Sequence, residues 1–362
     1  NVDAKAFVLM DANTGKILAS QNENEHRAPA SLTKIMTLYV VADALKSGRI
    51  HMNDQVLVSE KAWRAKGSRM FIKVGQTVPL SDLIQGAAVA SGNDACIALA
   101  EHVAGSEESF AALMNQEAQA LGMTNTHFAD SNGLPAENHY SSAHDLAILA
   151  KAFVHNFPEE YKWFQQKWFT YNNIKQPNRN RLLWQNPVVD GMKTGFTDDA
   201  GFCLVASGQQ NGMRLISVIM GADSEKVRRA ETQRLLTYGF RFFESPKLYQ
   251  ANQKLADPRV WLGQSKTTPI GASDNVYVTI PNGDYKNLKI TLELNKQLEA
   301  PITKGQKIGN LHITLKDKSL TDIPLIALAD NPRGGLWSRM SDRVKLTLKR
   351  WLGQDESPIQ KT

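Results

Sequence analysis

Apolar residues in the first fifty positions change their spacing part-way along. Positions 5–10 and 16–20 are rich in β-formers and alternate weakly around Asn13-Thr14-Gly15, which predicts an antiparallel hairpin. Past Pro29 the spacing becomes helical, with Leu32, Ile35, Met36, Tyr39 and Val40 on one stripe. Ser31 stands where an N-cap belongs and Gly48 where a helix stops. Helical spacing dominates from about 80 to 155, for example over 80–89, 94–103 and 109–121. Strand texture returns at 188–195, 202–207 and 213–220, with turn residues at 198–201 and 209–212 between them, and an amphipathic helix over 224–243 follows.

An early hairpin and a late three-strand meander can share one antiparallel sheet while the helical middle packs beside it. This predicts an α+β domain over residues 1–245. Beyond Pro246 the texture changes to short β-rich segments, at 275–280, 288–294, 307–314 and 323–328, broken by Pro and Gly. They predict a small all-β domain over 246–334. Residues 335–362 then read as one helix and a polar tail. Within 336–352, Trp337, Met340, Val344, Leu348, Trp351 and Leu352 share a stripe, while Arg339, Arg343, Lys345, Lys349 and Arg350 outnumber a single acid, Asp342. Such a helix is too short and too charged to span a bilayer, and suits the interface of an anionic membrane with its two Trp at headgroup depth.

Bulk composition narrows the classes further. With 42% apolar residues the chain is an ordinary globular protein rather than a disordered or repeat protein. A net charge of +6 is modest for 362 residues and gives no reason to expect a nucleic-acid partner. There is no run of about 18 apolar residues, and the start, Asn1-Val2-Asp3-Ala4-Lys5, carries no basic-plus-apolar leader, so the chain reads as a mature or trimmed form with any export signal already removed. Cys96 and Cys203 form neither a C-x-x-C pair nor a zinc spacing and read as small buried hydrophobes. No H-E-x-x-H or H-x-H occurs among the eight histidines, which disfavours a zinc peptidase; no metal is called for.

The candidate chemistry lies in three short segments. In Ser31-Leu32-Thr33-Lys34 a hydroxyl is followed three residues later by an amine on the same helical face, the spacing a nucleophile and its base require. Lys34 must be neutral to serve as a base. From an unperturbed pKa near 10.4 that is worth roughly 4.6 kcal/mol at pH 7, which burial and a second cation, with Lys193 the obvious candidate, would reduce. Ser91-Gly92-Asn93 lies between two apolar helices, where a loop can present a hydroxyl and an amide to a cleft. Two other S-x-N matches exist, at Ser20-Gln21-Asn22 and Ser273-Asp274-Asn275, so this segment gains weight only from its context. Lys193-Thr194-Gly195 falls on a predicted strand, where glycine lets a ligand backbone approach and Thr and Lys can bind a carboxylate, whereas Lys46-Ser47-Gly48 merely ends the first helix.

S-x-x-K, an S-x-N segment and K-T-G in this order characterise penicillin-binding proteins and class A β-lactamases. The chain resembles the low-molecular-mass penicillin-binding proteins of the D-alanyl-D-alanine carboxypeptidase type. The likeness runs through 30–37, 91–95, 191–195 and 239–243 and extends to the β domain and terminal helix. It implies a β-lactamase/transpeptidase-like fold and no cofactor. By the resemblance, Ser31 is acylated by the penultimate D-alanine of a peptidoglycan stem pentapeptide, or by a β-lactam, and Lys34 takes its proton. Ser91 and Lys193 would relay a proton to the departing D-alanine, Asn93 would hold the substrate amide, and Thr194 and Gly195 would line the substrate strand. The oxyanion hole would use the N–H groups of Ser31 and Phe196; relatives often carry a polar residue at the latter position. Arg179 and Arg228 fall where the family places cleft arginines. The resemblance also places the protein on the periplasmic side of the cytoplasmic membrane. Two alternatives share this fold. A β-lactamase would need an E-x-x-L-N segment, which is absent between 94 and 190, and a non-catalytic wall-binding scaffold would be expected to have lost Ser31, Lys34 or Lys193.

Overall fold

The computed structural model describes residues 1–295 and 297–352 and the backbone of 359–361. By internal contacts the chain divides into two units, residues 1–241 and 242–362. The first begins with β1 (Ala6–Asp11), β2 (Ile17–Gln21), α1 (Thr33–Lys46), β3 (Gln55–Leu57), α2 (Glu60–Trp63), β4 (Thr77–Pro79), α3 (Leu80–Ala88), α4 (Asn93–Ala104), α5 (Glu107–Ala120) and α6 (Ala143–Asn156). There follow β5 (Trp168–Tyr171), β6 (Ile174–Pro177), α7 (Leu182–Gln185), β7 (Val189–Thr197), β8 (Gly201–Gln210), β9 (Met213–Ala222) and α8 (Glu225–Phe242).

Its five-stranded sheet has the order β2-β1-β9-β8-β7 and is antiparallel throughout. The N-terminal hairpin and the late meander thus meet through the β1–β9 pair, with Val8 opposite Val218. Side chains alternate between the two faces: Val8 and Met10 join the main core with α1, α3, α4 and α6, while Leu9 lies toward Gly239 of α8. A Cβ at Gly239 would stand 2.5 Å from Leu215 Cδ1, so the glycine lets α8 lie close against the sheet. Because both faces are covered, all of β1 is buried. α1 is buried on nearly every side, from Thr33 to Ala42, and a helix in that position belongs to the core rather than to a surface.

One local expectation fails. Ser31 does not cap α1, which starts at Thr33, two residues later; residues Ala30–Leu32 form a 3₁₀ turn, and Leu32 holds the N-cap position without a side-chain hydrogen bond. Ala30 takes a left-handed φ of 50°, and this backbone turns the Ser31 hydroxyl toward Lys34 instead of toward the first N–H groups of the helix.

The second unit is built on a sheet in which 318–327 and 307–315 pair along most of their length, flanked by 270–271 on one side and by 288–294 and 359–361 on the other. Leu292, Leu311, Ile313 and Leu325 fill its core. Helix α9 (Leu336–Trp351) sits on this unit through one side only. Asp342 accepts hydrogen bonds from the Leu262 N–H (2.9 Å) and the Arg259 guanidinium (3.4 Å), and Leu346, one turn on, is buried. The opposite stripe is open: Trp337 is 84% exposed, Trp351 87%, and Met340, Val344 and Leu348 each more than half.

Candidate active site

The three segments converge at the end of α1. Lys34 is fully buried, and its Nζ donates to Ser31 Oγ at 2.7 Å and to Ser91 Oγ at 3.1 Å. Lys193 Nζ, reaching from β7, donates to the same Ser91 oxygen at 3.0 Å and to its neighbour's carbonyl, Thr194 O, at 3.0 Å. One hydroxyl therefore lies between two amines. Ser91 adopts a left-handed φ of 54° to be there, a conformation uncommon for a residue with a side chain and held by the surrounding fold.

The electrostatics follow from burial. Desolvation lowers the Lys34 ammonium to about 8, with the Arg179 charge acting in the same direction. Lys193 is driven well below the usual lysine range, first by burial and then by the charges of Lys34 and Arg179. Cys96, buried close to both lysines, has its thiol pushed up to about 12 by the same loss of water. Both cysteines are unpaired and buried.

β7 is an edge strand, so the backbone groups on its outer side have no strand partner among the described residues. It presses against the serine turn so tightly that a Cβ on Gly195 would lie 3.0 Å from the Ser31 nitrogen. The strand is fixed at its start: Arg214 holds Asp190 with two bonds of 2.8 Å, and Tyr161 Oη donates to the same carboxylate at 2.9 Å. The cleft beside it has a volume of about 270 Å³ and is lined by Ser31, Ser91, Asn93, Arg179, Thr194, Gly195, Phe196 and Arg228. Of the residues singled out from the sequence, only the two lysines lie behind this lining rather than in it.

Several of these side chains already have partners. Asn93 donates through Nδ2 to the Lys66 carbonyl at 2.7 Å, which ties α4 to the 66–70 loop. Arg179, on the surface, donates to Ser68 Oγ at 2.6 Å. Arg228 is buried and donates to the carbonyls of Gly195 and Cys203 at 3.2 and 3.3 Å, bridging β7 and β8 from α8.

Sequence reasoning missed the walls. Gly67 and Ser68 form one side, and Asn132, Gly133 and Leu134 the other. Gly133 has φ +86°, and a Cβ there would come within 1.8 Å of Ala30 O, so only glycine fits against the serine turn. The segment is tethered through His139: the Ala129 N–H donates to its Nδ1, which leaves the proton on Nε2 to be donated to Thr33 Oγ1 at 2.8 Å. Asp130-Ser131-Asn132-Gly133 carries turn chemistry that could have drawn attention. Asp94, buried at the start of α4, was also missed; its carboxylate accepts the N–H groups of Met70, Phe71 and Ile72 and so shapes the loop opposite β7.

Comparison with known families decides the assignment. The D-alanyl-D-alanine carboxypeptidase family (peptidase S11) matches residues 1–224, and the C-terminal domain of penicillin-binding protein 5 matches residues 243–333. The chain belongs to the D-alanyl-D-alanine carboxypeptidases. As a member of that family it is a serine hydrolase. It is 47% identical to the D-alanyl-D-alanine carboxypeptidase DacC of Escherichia coli over 98% of this chain and 90% of the relative. It is 44% identical to DacA of the same organism over 97% and 89%. Among solved structures, penicillin-binding protein 5 of Haemophilus influenzae superposes with a TM-score of 0.87 at 43% identity, covering 92% of this chain and 98% of that one. Penicillin-binding protein D2 of Listeria monocytogenes, in its ampicillin-bound form, gives a TM-score of 0.61 at 28% identity over 66% and 98%.

Proposed function

We propose that this carboxypeptidase removes the terminal D-alanine from peptidoglycan stem pentapeptides, with Ser31 as nucleophile and Lys34 as its base. The single observation that carries the assignment of roles is the chain of contacts Ser31–Lys34–Ser91–Lys193, each within 3.1 Å. The peptide enters as a strand along the open edge of β7, with its carboxylate near Lys193, Thr194 and Arg179. That negative charge favours the charged form of Lys193 and leaves Lys34 as the amine that gives up its proton.

Neutral Lys34 takes the Ser31 proton as Oγ attacks the penultimate carbonyl carbon. The oxyanion forms against the N–H groups of Ser31 and Phe196. With both lysines donating to Ser91 Oγ, the Ser91 O–H is free to protonate the leaving nitrogen, and the Lys34 proton replaces it. The C–N bond breaks, D-alanine departs, and an ester remains on Ser31. Water, with the same amine as base, hydrolyses that ester. Asn93 orients the peptide amide.

A β-lactam follows the first half: its carbonyl acylates Ser31 and its amide bond opens, but the leaving nitrogen stays tethered. Among the described residues lining the cleft none carries a carboxyl group, which supports slow deacylation and therefore inhibition rather than a β-lactamase.

Attachment is the second part of the proposal. α9 holds the chain to the outer, periplasmic surface of the cytoplasmic membrane. The outward stripe of Trp337, Met340, Val344, Leu348 and Trp351 supports this, because the side that docks on the β unit is the other one.

The test is product analysis on a soluble pentapeptide ending in D-alanyl-D-alanine, paired with mass spectrometry after penicillin treatment. One equivalent of D-alanine per peptide, and an adduct confined to the Ser31 peptide, are expected. Full activity in Ser31→Ala, or an adduct elsewhere, refutes the assignment.

A further inference from the structure

Behind the nucleophile, one buried imidazole joins the two segments that fix Ser31. His139 Nε2 donates to Oγ1 of Thr33, the first residue of α1, at 2.8 Å, and its Nδ1 accepts from the Ala129 N–H at 3.0 Å. A Cβ at Gly133 would stand 3.0 Å from that same Thr33 Oγ1 and 1.8 Å from Ala30 O, so the hydroxyl that His139 holds lies where the cleft wall meets the serine turn. Asp130 completes the arrangement. Its Oδ1 accepts the N–H groups of Asn132 and Gly133 at 3.1 and 2.7 Å, and its Oδ2 lies 3.9 Å from His139 Nδ1, too far for a hydrogen bond. None of these side chains takes part in the proton transfers proposed above.

We propose that His139 is a positioning residue for Ser31: its neutral ring holds the serine turn and the Gly133 wall together, and protonation of the ring separates them. The inference rests on Ser31 as the nucleophile. Neutral imidazole has one donor and one acceptor, and both are used here. A proton on Nδ1 sets two N–H groups against each other across 3.0 Å, and one of them must withdraw. The carboxylate within reach is Asp130. A ring that turns to it draws Nε2 away from Thr33, and a carboxylate that moves to the ring leaves the N–H groups of Asn132 and Gly133 behind. Either movement loosens the backbone contact beneath Ser31, and a misplaced nucleophile acylates slowly. The surroundings oppose the proton overall: burial holds the imidazole below its usual range, the Asp130 charge raises it, and the His127 charge lowers it again. Asp199 stands across the small cavity that His139 shares with the β7–β8 turn. From α1, Lys34 directs its Nζ to Ser31 and Ser91 instead, and Phe128 packs only its ring against the imidazole.

The experiment follows acylation of the full chain by a fluorescent penicillin in wild type, His139→Gln and His139→Leu, across the acid limb and the neutral range. Gln carries an acceptor for Ala129 and a donor for Thr33 but no titratable proton. It is expected to keep most of the wild-type rate at neutral pH, whereas Leu, which makes neither bond, lowers the rate at least about tenfold throughout. Protonation of Lys34 slows every variant along the same limb, so the ratio of wild type to Gln isolates the second proton. That ratio is expected to fall by at least about threefold between neutral pH and the acid end. A ¹³C-labelled imidazole signal, missing from His139→Gln, should titrate over the same range as the ratio. A ratio that stays constant overturns the proposal, as does a Gln variant no faster than Leu, or Leu at the wild-type rate. If Leu fails to fold, the Gln ratio decides alone. Mass spectrometry of the adducts keeps the two readings apart: an adduct outside Ser31 defeats the nucleophile assignment, whereas a constant ratio with the adduct on Ser31 defeats only the role of His139.

Discussion

Replacing Lys193 with methionine removes one of the two amines that face Ser91 while keeping much of the side chain's volume. The two Nζ atoms lie 3.1 and 3.0 Å from the same oxygen, so they are at most roughly 6 Å apart. At an effective dielectric of about 20 their repulsion is about 2.8 kcal/mol when both are charged, equivalent to about two pKa units. In the penicillin complex, where the ligand carboxylate holds Lys193 in its charged form, that repulsion helps keep Lys34 neutral. Burial already brings Lys34 to about 8 without any contribution from Lys193, and a charged Lys193 lowers it further, so acylation by wild type is expected to rise with pH and level off below about 8. In Lys193→Met the amine that remains holds its proton more tightly, and the midpoint of the rising limb moves up by as much as about two units, to about 8. At pH 7 the neutral fraction of Lys34 then falls by roughly tenfold. Stopped-flow acylation at saturating fluorescent penicillin across both limbs of the profile separates this effect from lost anchoring: anchoring lowers the plateau, whereas the charge effect moves the midpoint. A midpoint that is the same in both proteins, or lower in the variant, refutes the coupling.

Three further outcomes can be checked directly. Asp94→Asn places an amide against backbone donors that the carboxylate now accepts, so unfolding in urea should show a loss of about 2–4 kcal/mol; a loss under 1 kcal/mol means that the loop is held by something else. Gly133→Ala needs both a strained φ and a Cβ inside the Ala30 carbonyl, so penicillin labelling should fall by at least about tenfold, and normal labelling at normal stability contradicts the close contact. A chain ending at Gly335 keeps the Asn331–Ile302 bridge and the Gly334–Leu262 bond, and should float free of anionic vesicles while retaining its rate on a small peptide; co-sedimentation or lost activity counts against the anchor reading.

What could be read from the sequence was whatever depends on period and local spacing. The sheet strands and long helices follow the apolar pattern to within a few residues, as in β9, expected over 213–220 and found at Met213–Ala222. Ser31 and Lys34 could be paired because a helical turn fixes their relation, and the turn residues before β8 and β9 marked the late meander. The capping expectation failed because Ala30 adopts a backbone that its own side chain does not favour, and the tertiary contact with Gly133 imposes it. The β5–β6 hairpin escaped notice, although Asn172-Asn173 at its turn, both at positive φ, is a weak form of the hairpin signal. The cleft walls depend on the Asp94 and His139 tethers, which join segments more than twenty residues apart or of different local texture, and no periodicity carries that information. On α9 the apolar stripe was plain, but Asp342 stood out only as a charge; its part in docking needed the Leu262 N–H from a distant loop.

Lys34, the base proposed above, sits on a helix with almost no solvent face. Most clefts are assembled on loops that can open locally while the domain stays folded. Here the amine proposed to activate the nucleophile is enclosed by the residues that hold the first unit together, among them Ile35, Met36 and Leu38. Local breathing of α1 is then nearly equivalent to unfolding, and the Lys34 backbone amide should exchange its hydrogen at a rate close to that of global opening. Inheritance is affected too. A substitution in the middle of this core reaches the enzyme's chemistry and its lifetime through the same few side chains.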